Sequence, residues 1–222
     1  MTDNRFDWFG DAESPFIVVI AGWATGPKLL DCLTEHRSGV VVTPFNPESL
    51  VDEVVTIVGG GAIRVQQVVG VSIGADMAMR LAERWQVPWC GIGANTGFAI
   101  DELGGLEFRL TRSVDAAIRG FLCAALGDRR DRQWTLDAVS QVGWDMESLR
   151  RGLRYLAVNH WQDRRIFPGT FIHGECDGIA PIGPIQRLAA DCKCRFVTLP
   201  GRGHLPFGPF GRQGLLELLW QY

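Results

Sequence analysis

Three residue types that together perform nucleophilic catalysis lie far apart in this 222-residue chain, each shortly after an apolar run. Ser72 lies in Gly70-Val71-Ser72-Ile73-Gly74, and Asp177 and His204 follow two later runs. A serine hydroxyl is a weak nucleophile until a neighbouring base takes its proton. A carboxylate that fixes the imidazole tautomer completes such a set. We therefore predict that Ser72 is the nucleophile, His204 its base and Asp177 the acid that orients the base.

The residues around Ser72 indicate how its hydroxyl could be held away from the backbone. The valine-rich segment 65–71 is typical of a buried strand, and Ile73, Met77 and Leu81 then follow at the four-residue spacing of a helix. Glycines on both sides of the serine allow a sharp strand-to-helix turn, because a Cβ there would crowd the neighbouring strand and helix. The alternative is that this Gly-x-Ser-x-Gly stretch is a plain strand-to-helix connection.

Competing acids and bases are less favoured by their positions. Asp177 lies farther past its predicted strand than Glu175, and Asp76 is expected only to place a favourable charge near a helix N-terminus. The histidines other than His204 end a helix, lie in a helical segment or lie within a strand; they are His36, His160 and His173. We therefore favour Asp177 and His204 as the acid and the base.

A second loop can supply part of an oxyanion-binding site. The apolar run 16–20 ends in Ala21-Gly22-Trp23, at the carboxyl end of a predicted central strand. A backbone N–H in such a loop can join the N–H that follows the nucleophile and bind an oxyanion. We predict that Trp23 and Ile73 provide these two donors; the alternative is that Trp23 is only a packing aromatic.

The order of elements predicts an α/β class. Strands and helices alternate up to residue 92 and again from residue 169, which is typical of a mostly parallel, doubly wound sheet. We predict about six strands, at 16–20, 39–43, 65–71, 87–92, 169–173 and 194–199. The segment before Phe16 has room for at most one more. We expect residues 1–222 to form one domain.

Residues from about 98 to 167 show helical patterns and no convincing strand, so we predict an all-helical lid insertion, called the helical insert below. The stretch 108–126 has one apolar helical face with Arg109, Arg112 and Arg119 on the opposite side. Residues 109–165 hold eleven arginines and seven acids, giving +4 against −7 for the rest. These arginines are either a solvated surface or a grip for an acidic partner. The candidate set is Arg109, Arg112, Arg119, Arg150, Arg151 and Arg154.

Composition argues against several classes of function. The net charge is −3 and the pI about 5.8, which disfavours nucleic acid as a partner. No signal-like N-terminus or membrane-spanning apolar run is apparent, so we expect a cytoplasmic protein that does not bind membranes. The six cysteines lack metal-ligand spacing and read as free thiols. We expect no metal, no cofactor and a monomer.

Four separated motifs resemble the α/β-hydrolase superfamily over residues 16–220. Ala21-Gly22-Trp23, Gly70-Val71-Ser72-Ile73-Gly74, His173-Gly174-Glu175-Cys176-Asp177 and Gly203-His204-Leu205-Pro206-Phe207 are further similar to the pimeloyl-acyl carrier protein methyl ester esterases of biotin synthesis, of the BioH and BioG type. That resemblance implies an α/β-hydrolase fold, Ser72, Asp177 and His204 as the triad, and Trp23 and Ile73 as oxyanion donors. It also implies an acyl carrier protein as partner, held by insert arginines. Ala21 departs from the longer family branch, which has His there.

Two enzyme hypotheses and one binding hypothesis follow. The first is a serine carboxylesterase acting on an acyl chain delivered by a carrier protein, with an acyl channel lined by apolar residues of the helical insert. Those residues are Phe108, Phe121, Leu122, Leu153 and Leu156. The second keeps the triad and acts on small acyl esters or thioesters. The third is a non-catalytic binding protein that retains the fold.

Overall fold

The structure is a computed structural model. It describes residues 4–11, 15–35, 37–59, 63–98, 100–126, 128–140, 142–158, 161, 165–212 and 214–219. The rival histidines His36 and His160 lie outside these ranges.

A mostly parallel sheet forms the centre of the molecule, as the alternating pattern predicts. Its strands are β1 (Arg5–Phe9), β2 (Phe16–Ile20), β3 (Ser38–Thr43), β4 (Val65–Val71), β5 (Trp89–Ile92), β6 (Thr170–Gly174) and β7 (Arg195–Leu199). They are ordered β1-β3-β2-β4-β5-β6-β7, and every neighbouring pair is parallel except β1 with β3. The described sheet thus has seven strands rather than six. The extra strand, β1, is a partly exposed antiparallel edge without the apolar run of a buried strand.

Helices connect and flank the strands. They are α1 (Asp31–Thr34), α2 (Leu50–Gly59), α3 (Gly74–Trp85), α4 (Ile100–Arg112), α5 (Val114–Ala125), α6 (Arg132–Val139), α7 (Met146–Val158), α8 (Ile182–Asp191) and α9 (Leu215–Leu219). The connection after β2 contains a 3-10 turn (Pro27–Leu30) followed by the single turn α1. Among the described residues, no helix is long and apolar enough to cross a membrane.

The core explains why the central strands can fix the positions of distant loops. Val18, Val19 and Ile20 of β2 and Val68 and Val69 of β4 are fully buried. Burying a valine or isoleucine side chain stabilises the fold by about 1.5–3 kcal/mol. Because β2 and β4 are neighbours and α3 packs on both, the loops at their carboxyl ends are held side by side.

Helices α4 to α7 lie between β5 and β6 and belong to the helical insert. The continuous helix predicted over 108–126 is wrong, because the chain leaves the helical conformation at Ser113, whose φ is −166° and ψ 116°. Its hydroxyl accepts a hydrogen bond from the Ala116 N–H at 3.2 Å and caps α5. Arg109 and Arg112 therefore lie on α4 and Arg119 on α5, not on one helical face.

The helical insert is hydrogen-bonded to the loop that carries His204. Asp131, at the start of α6, is buried, and its carboxylate accepts from the backbone N–H groups of Phe210 at 3.0 Å and Gly211 at 2.7 Å. Leu205, next to His204, donates its N–H to the Ala125 carbonyl at the end of α5. Among the described residues, these hydrogen bonds join the insert to this loop.

Candidate active site

Ser72 lies at the turn between β4 and α3, in the position predicted. Its φ is 53°, a left-handed conformation that non-glycine residues rarely adopt. A Cβ at Gly70 would lie 2.3 Å from the Gly74 carbonyl oxygen, and one at Gly74 would lie 2.5 Å from the Ile20 carbonyl oxygen. Both positions therefore require glycine, and the close packing that they permit holds the strained turn in place.

Asp177 and His204 come together after β6 and β7. The His204 Nδ1 atom lies 2.8 Å from Asp177 Oδ2, and both side chains are completely buried. The other carboxylate oxygen, Oδ1, accepts from the backbone N–H groups of Ile179 and Ala180, each at 2.8 Å. Burial opposes the charge of Asp177, but the hydrogen bond and attraction from His204 outweigh it and lower the pKa of this carboxyl. Asp177 is therefore ionised and accepts the Nδ1 proton of His204.

Glu175, the rival acid, has a different role in the structure. Its exposed carboxylate accepts from the Gly201 N–H at 2.9 Å. Cys176 also donates its N–H to the Arg202 carbonyl at 2.8 Å. These bonds connect the acid loop to the histidine loop, and they leave Asp177 as the carboxylate that contacts His204.

His204 and Ser72 both border the carboxyl end of β5. A Cβ at Gly93 would meet His204 Nδ1 at 3.1 Å, and the Ser72 N–H donates to the Ile92 carbonyl at 2.8 Å. The His204 Nε2 atom is buried and hydrogen-bonds to none of the described residues, Ser72 included. Such bonds are often long without substrate and tighten when it binds. His204, the predicted base, thus has an acceptor nitrogen without a partner among the described residues, beside the turn that carries Ser72.

The Gly22-Trp23 loop lies beside Ser72, since a Cβ at Gly22 would be 3.2 Å from the Ser72 Cβ. Within the described part of the chain, the backbone N–H groups of Trp23 and Ile73 donate to no other residue. Thr25, which sequence analysis did not assign, fixes this loop: its hydroxyl accepts from the Gly22 N–H at 2.6 Å and donates to the Gly22 carbonyl at 3.0 Å. The two predicted oxyanion donors are therefore unused on either side of the serine.

The Trp23 side chain joins this loop to the helical insert. Its Nε1–H donates to the Leu149 carbonyl of α7 at 2.8 Å. A Cβ at Gly152 would lie 2.6 Å from the indole, so only glycine lets α7 approach so closely. Phe121 packs edge-on against Trp23 and against His204, with ring centroids 4.9 Å and 6.3 Å apart. Trp23 is thus a packing aromatic whose loop also lies beside Ser72.

A cavity of about 360 Å³ opens at Ser72, beneath the helical insert. Its apolar lining includes Trp23, Phe98, Leu103, Leu106, Phe121, Leu153, Leu156 and Ile179. Glu102 and Arg109 are the charged residues among its described lining. Of the residues predicted to line an acyl channel, Phe121, Leu153 and Leu156 do so. Phe108 does not, because it is exposed on α4 beneath Arg112, and Leu122 is buried elsewhere in the core.

A larger cavity of about 520 Å³ lies at the opposite, amino-terminal end of the strands, where Gln67, Trp89 and Thr170 line it. It contains none of the predicted site residues.

The candidate arginines of the helical insert are exposed or half-buried, and four of them are paired with acids of the insert. These pairs are Arg119 with Asp115, Arg150 with Glu107, and both Arg151 and Arg154 with Glu147. The Arg112 guanidinium lies over the Phe108 ring. Arg109 alone among the six lines the cavity.

Two buried residues have contacts that sequence analysis did not predict. The Asp76 carboxylate accepts a hydrogen bond from the Tyr155 hydroxyl of α7, so its expected role as a helix-end charge is incomplete. The His173 Nε2 atom lies 3.2 Å from Asp177 Oδ2 and 2.7 Å from the Ala180 carbonyl oxygen. The signal for His173 was its position four residues before the acid.

Comparison with known proteins supports the fold. No family model matches the sequence, and no curated protein matches it significantly. Solved structures do match: an esterase from Exiguobacterium antarcticum has a TM-score of 0.78 at 14% identity, covering 97% of this chain and 93% of that protein. An enol-lactonase from Burkholderia xenovorans LB400 has a TM-score of 0.75 at 14% identity, covering 98% of this chain and 93% of that protein. An alpha/beta hydrolase from a Medee basin deep-sea metagenome library has a TM-score of 0.69 at 15% identity, covering 98% of this chain and 90% of that protein. The chain therefore has the α/β-hydrolase fold.

Proposed function

We propose that this chain is a serine carboxylesterase that hydrolyses the methyl ester of pimeloyl-acyl carrier protein through an acyl-enzyme intermediate. The catalytic part rests on one observation: the buried Asp177–His204 pair, 2.8 Å apart, borders the same strand end as the left-handed Ser72 turn. Esterases and a lactonase among the proteins of similar fold agree with this reaction class.

The reaction follows from these groups. His204 Nε2 takes the Ser72 proton while Oγ attacks the ester carbonyl, and the backbone N–H groups of Trp23 and Ile73 stabilise the resulting oxyanion. The carbon–oxygen bond to the methoxy group then breaks as His204 gives its proton to the departing oxygen, and methanol is released. Water, deprotonated by His204, attacks the acyl-enzyme; His204 then returns the proton to the departing Ser72 Oγ, and the free carboxylic acid is released. Asp177 stays ionised throughout and stabilises the imidazolium.

Two features support an acyl chain carried by an acidic protein. The cavity at Ser72 is lined mainly by apolar side chains, which suits a methylene chain. Arg109 lies at this cavity, and the surrounding insert carries a net positive charge, unlike the rest of the chain. The resemblance of the four motifs to the pimeloyl methyl ester esterases is what identifies the acyl chain as pimeloyl and its carrier as acyl carrier protein.

Covalent labelling tests the catalytic part. We expect a fluorophosphonate probe to modify the wild-type protein at Ser72, located by peptide mass mapping, and to leave the Ser72→Ala variant unmodified. A folded wild-type protein without this adduct would favour the non-catalytic binding hypothesis.

A strain that cannot demethylate pimeloyl esters should grow without biotin when it expresses the wild type, and should not grow with Ser72→Ala.

Paired substrates test the carrier. We expect turnover of methyl pimeloyl-carrier protein, and replacing both Arg109 and Arg112 by alanine should raise its KM several-fold without changing hydrolysis of p-nitrophenyl acetate. The matched control replaces Arg5 and Arg84, exposed arginines outside the helical insert. Equal effects of the two double variants would remove the carrier surface from the proposal.

A second candidate keeps the chemistry and changes the substrate to small acyl esters or thioesters. It is favoured by the ion pairs that already engage Arg119, Arg150, Arg151 and Arg154 within the helical insert. Activity on p-nitrophenyl acetate but not on methyl pimeloyl-carrier protein would select it.

A further inference from the structure

The carboxylate of Asp177 accepts hydrogen bonds on both oxygens and has a second imidazole close by. A carboxylate offers about four acceptor positions, two on each oxygen. Two backbone N–H groups occupy Oδ1, His204 Nδ1 contacts Oδ2, and His173 Nε2 is the fourth group, also at Oδ2. Both histidine rings therefore lie beside the same carboxylate oxygen, and His173 comes from β6 inside the sheet.

The contacts of His173 fix its tautomer. Its Nε2 atom faces the Ala180 carbonyl at 2.7 Å and Asp177 Oδ2 at 3.2 Å, and both oxygens act only as acceptors. The proton must therefore be on Nε2. The opposite ring atom, Nδ1, is buried and bonds to none of the described residues, and burial lowers the pKa of this imidazole. His173 is thus a neutral donor beside the ionised acid.

We propose that His173 is a positioning residue for catalysis: its Nε2–H donates to the Ala180 carbonyl, and the ring, 3.2 Å from Asp177 Oδ2, thereby holds the acid that orients His204. This inference rests on the proposed hydrolase activity. The ring itself is held by β6 and packs against Phe196 of β7, with ring centroids 6.4 Å apart and planes 25° apart. The sheet thereby helps to orient Asp177 through the His173 side chain, in addition to the backbone N–H groups of Ile179 and Ala180.

Three substitutions separate the donor from the shape of the ring. In His173→Gln the amide nitrogen takes the place of Nε2 and keeps a donor. His173→Leu removes the donor while filling space, and His173→Asn has a donor too short to reach Asp177. We expect kcat to fall about 10- to 100-fold in the leucine and asparagine variants with KM within about twofold, and the glutamine variant to stay within about threefold.

The pH profile provides a readout that packing alone would not move. Among the described residues, the titratable groups that contact Asp177 are His173 and His204. Without the His173 donor, the Asp177 charge is less satisfied and attracts the proton of the His204 imidazolium more strongly. The acidic limb of kcat/KM should therefore move to higher pH in the leucine and asparagine variants and stay in place in the glutamine variant. An unchanged limb and kcat in the folded asparagine variant, or equal losses in all three, would overturn the proposal.

Proton NMR tests the same contact without turnover. The proton between His204 Nδ1 and Asp177 should give a far-downfield signal in the wild type and in His173→Gln, and a shifted or lost signal in His173→Asn. A signal unaffected by His173→Asn would refute the role of His173. A wild type that shows this signal but no fluorophosphonate adduct would instead refute the hydrolase activity, so the two failures are distinguishable.

Discussion

The carboxyl edge of the sheet and the helical insert hold their polar residues in different ways. At the sheet edge, Ser72 and Asp177 are fixed by buried backbone hydrogen bonds and by close packing. In the insert, Arg119 and Arg154 pair with acids whose side chains are more than half exposed. Buried hydrogen-bonded groups tolerate little change, whereas exposed ion pairs contribute little. The proposed function therefore assigns bond breaking to the tightly packed edge and substrate selection to the exposed helices.

The largest effect expected from this contrast is at the acid. Asp177→Asn puts an amide group where His204 needs an acceptor and stabilises the wrong imidazole tautomer, so kcat should fall roughly 10⁴-fold while the fold persists. Steady-state kinetics and circular dichroism check this result. The control is Glu175→Gln, which keeps an acceptor for Gly201 and should retain near-wild-type kcat. A larger loss in the control would assign the acid to Glu175.

A smaller loss is expected at the oxyanion loop. Thr25→Val removes the hydroxyl that both accepts from and donates to Gly22, so the Trp23 N–H should lose its fixed direction and kcat should fall about 10²-fold. Thr43→Val is the matched control, because the Thr43 hydroxyl is buried without a hydrogen-bond partner in the described structure. Kinetics on an activated ester measure both, and similar activity in the two variants would contradict the role of Thr25.

One residue of the helical insert should behave like the sheet edge. Asp131→Asn leaves one acceptor for the two N–H groups of Phe210 and Gly211, and we expect the free energy of unfolding to fall by about 1–3 kcal/mol in urea titrations. Asp137→Asn, on the exposed side of α6, should change it by less than about 0.5 kcal/mol. Equal changes in the unfolding free energy of the two variants would show that Asp131 stabilises the fold no more than an exposed residue of the insert does.

Lowering the pH should reduce the stability of the sheet edge through the buried His173 side chain. Burial lowers the pKa of His173 from 6.5, so below about pH 6.5 the unfolded chain takes up a proton that the folded protein refuses. The stability contributed by the neutral form is present above this pH and is lost as the pH falls toward the folded-state pKa. Unfolding free energies between pH 7.5 and 5 should therefore decline less steeply in His173→Gln than in the wild type. Parallel declines would contradict this origin.

The smallest effect is expected on the exposed helices. Arg119→Ala breaks an ion pair with Asp115 in which both side chains are more than half exposed, and stability should change by less than about 0.5 kcal/mol. Thermal unfolding at low and high salt measures it. A change above 1 kcal/mol would show that the insert surface is more tightly organised than its exposure indicates.

The sequence predicts most of the sheet edge because its signals are local. Glycines around Ser72, apolar runs before Asp177 and His204, and alternating elements each have one dominant structural solution, and the α/β-hydrolase fold is confirmed. The sequence left room for one strand before Phe16 but did not locate β1, because an edge strand lacks a buried apolar run. The contacts of His173 and Thr25 depend on which groups meet in three dimensions, which periodicity does not report.

The helical insert was harder to predict for the same physical reason. The apolar spacing of 108–126 continues across Ser113, so a break made by one capping serine is invisible to periodicity. Phe108 fits the apolar pattern but faces solvent, since its neighbours on α4 are set by how the helices pack. The assignment of the six arginines to a carrier surface stays a prediction.

The Asp131 carboxylate has a consequence for engineering. Because it binds the backbone of the segment that follows His204, the insert and that segment are matched parts, and a Cβ at Gly208 would lie 2.3 Å from the Asp131 carboxyl carbon. Grafting a different set of helices between β5 and β6 would therefore disturb the histidine unless residues 128–131 and 205–211 were transplanted together. A chimaera designed to change substrate preference therefore needs two exchanged segments, the insert and the segment that follows His204.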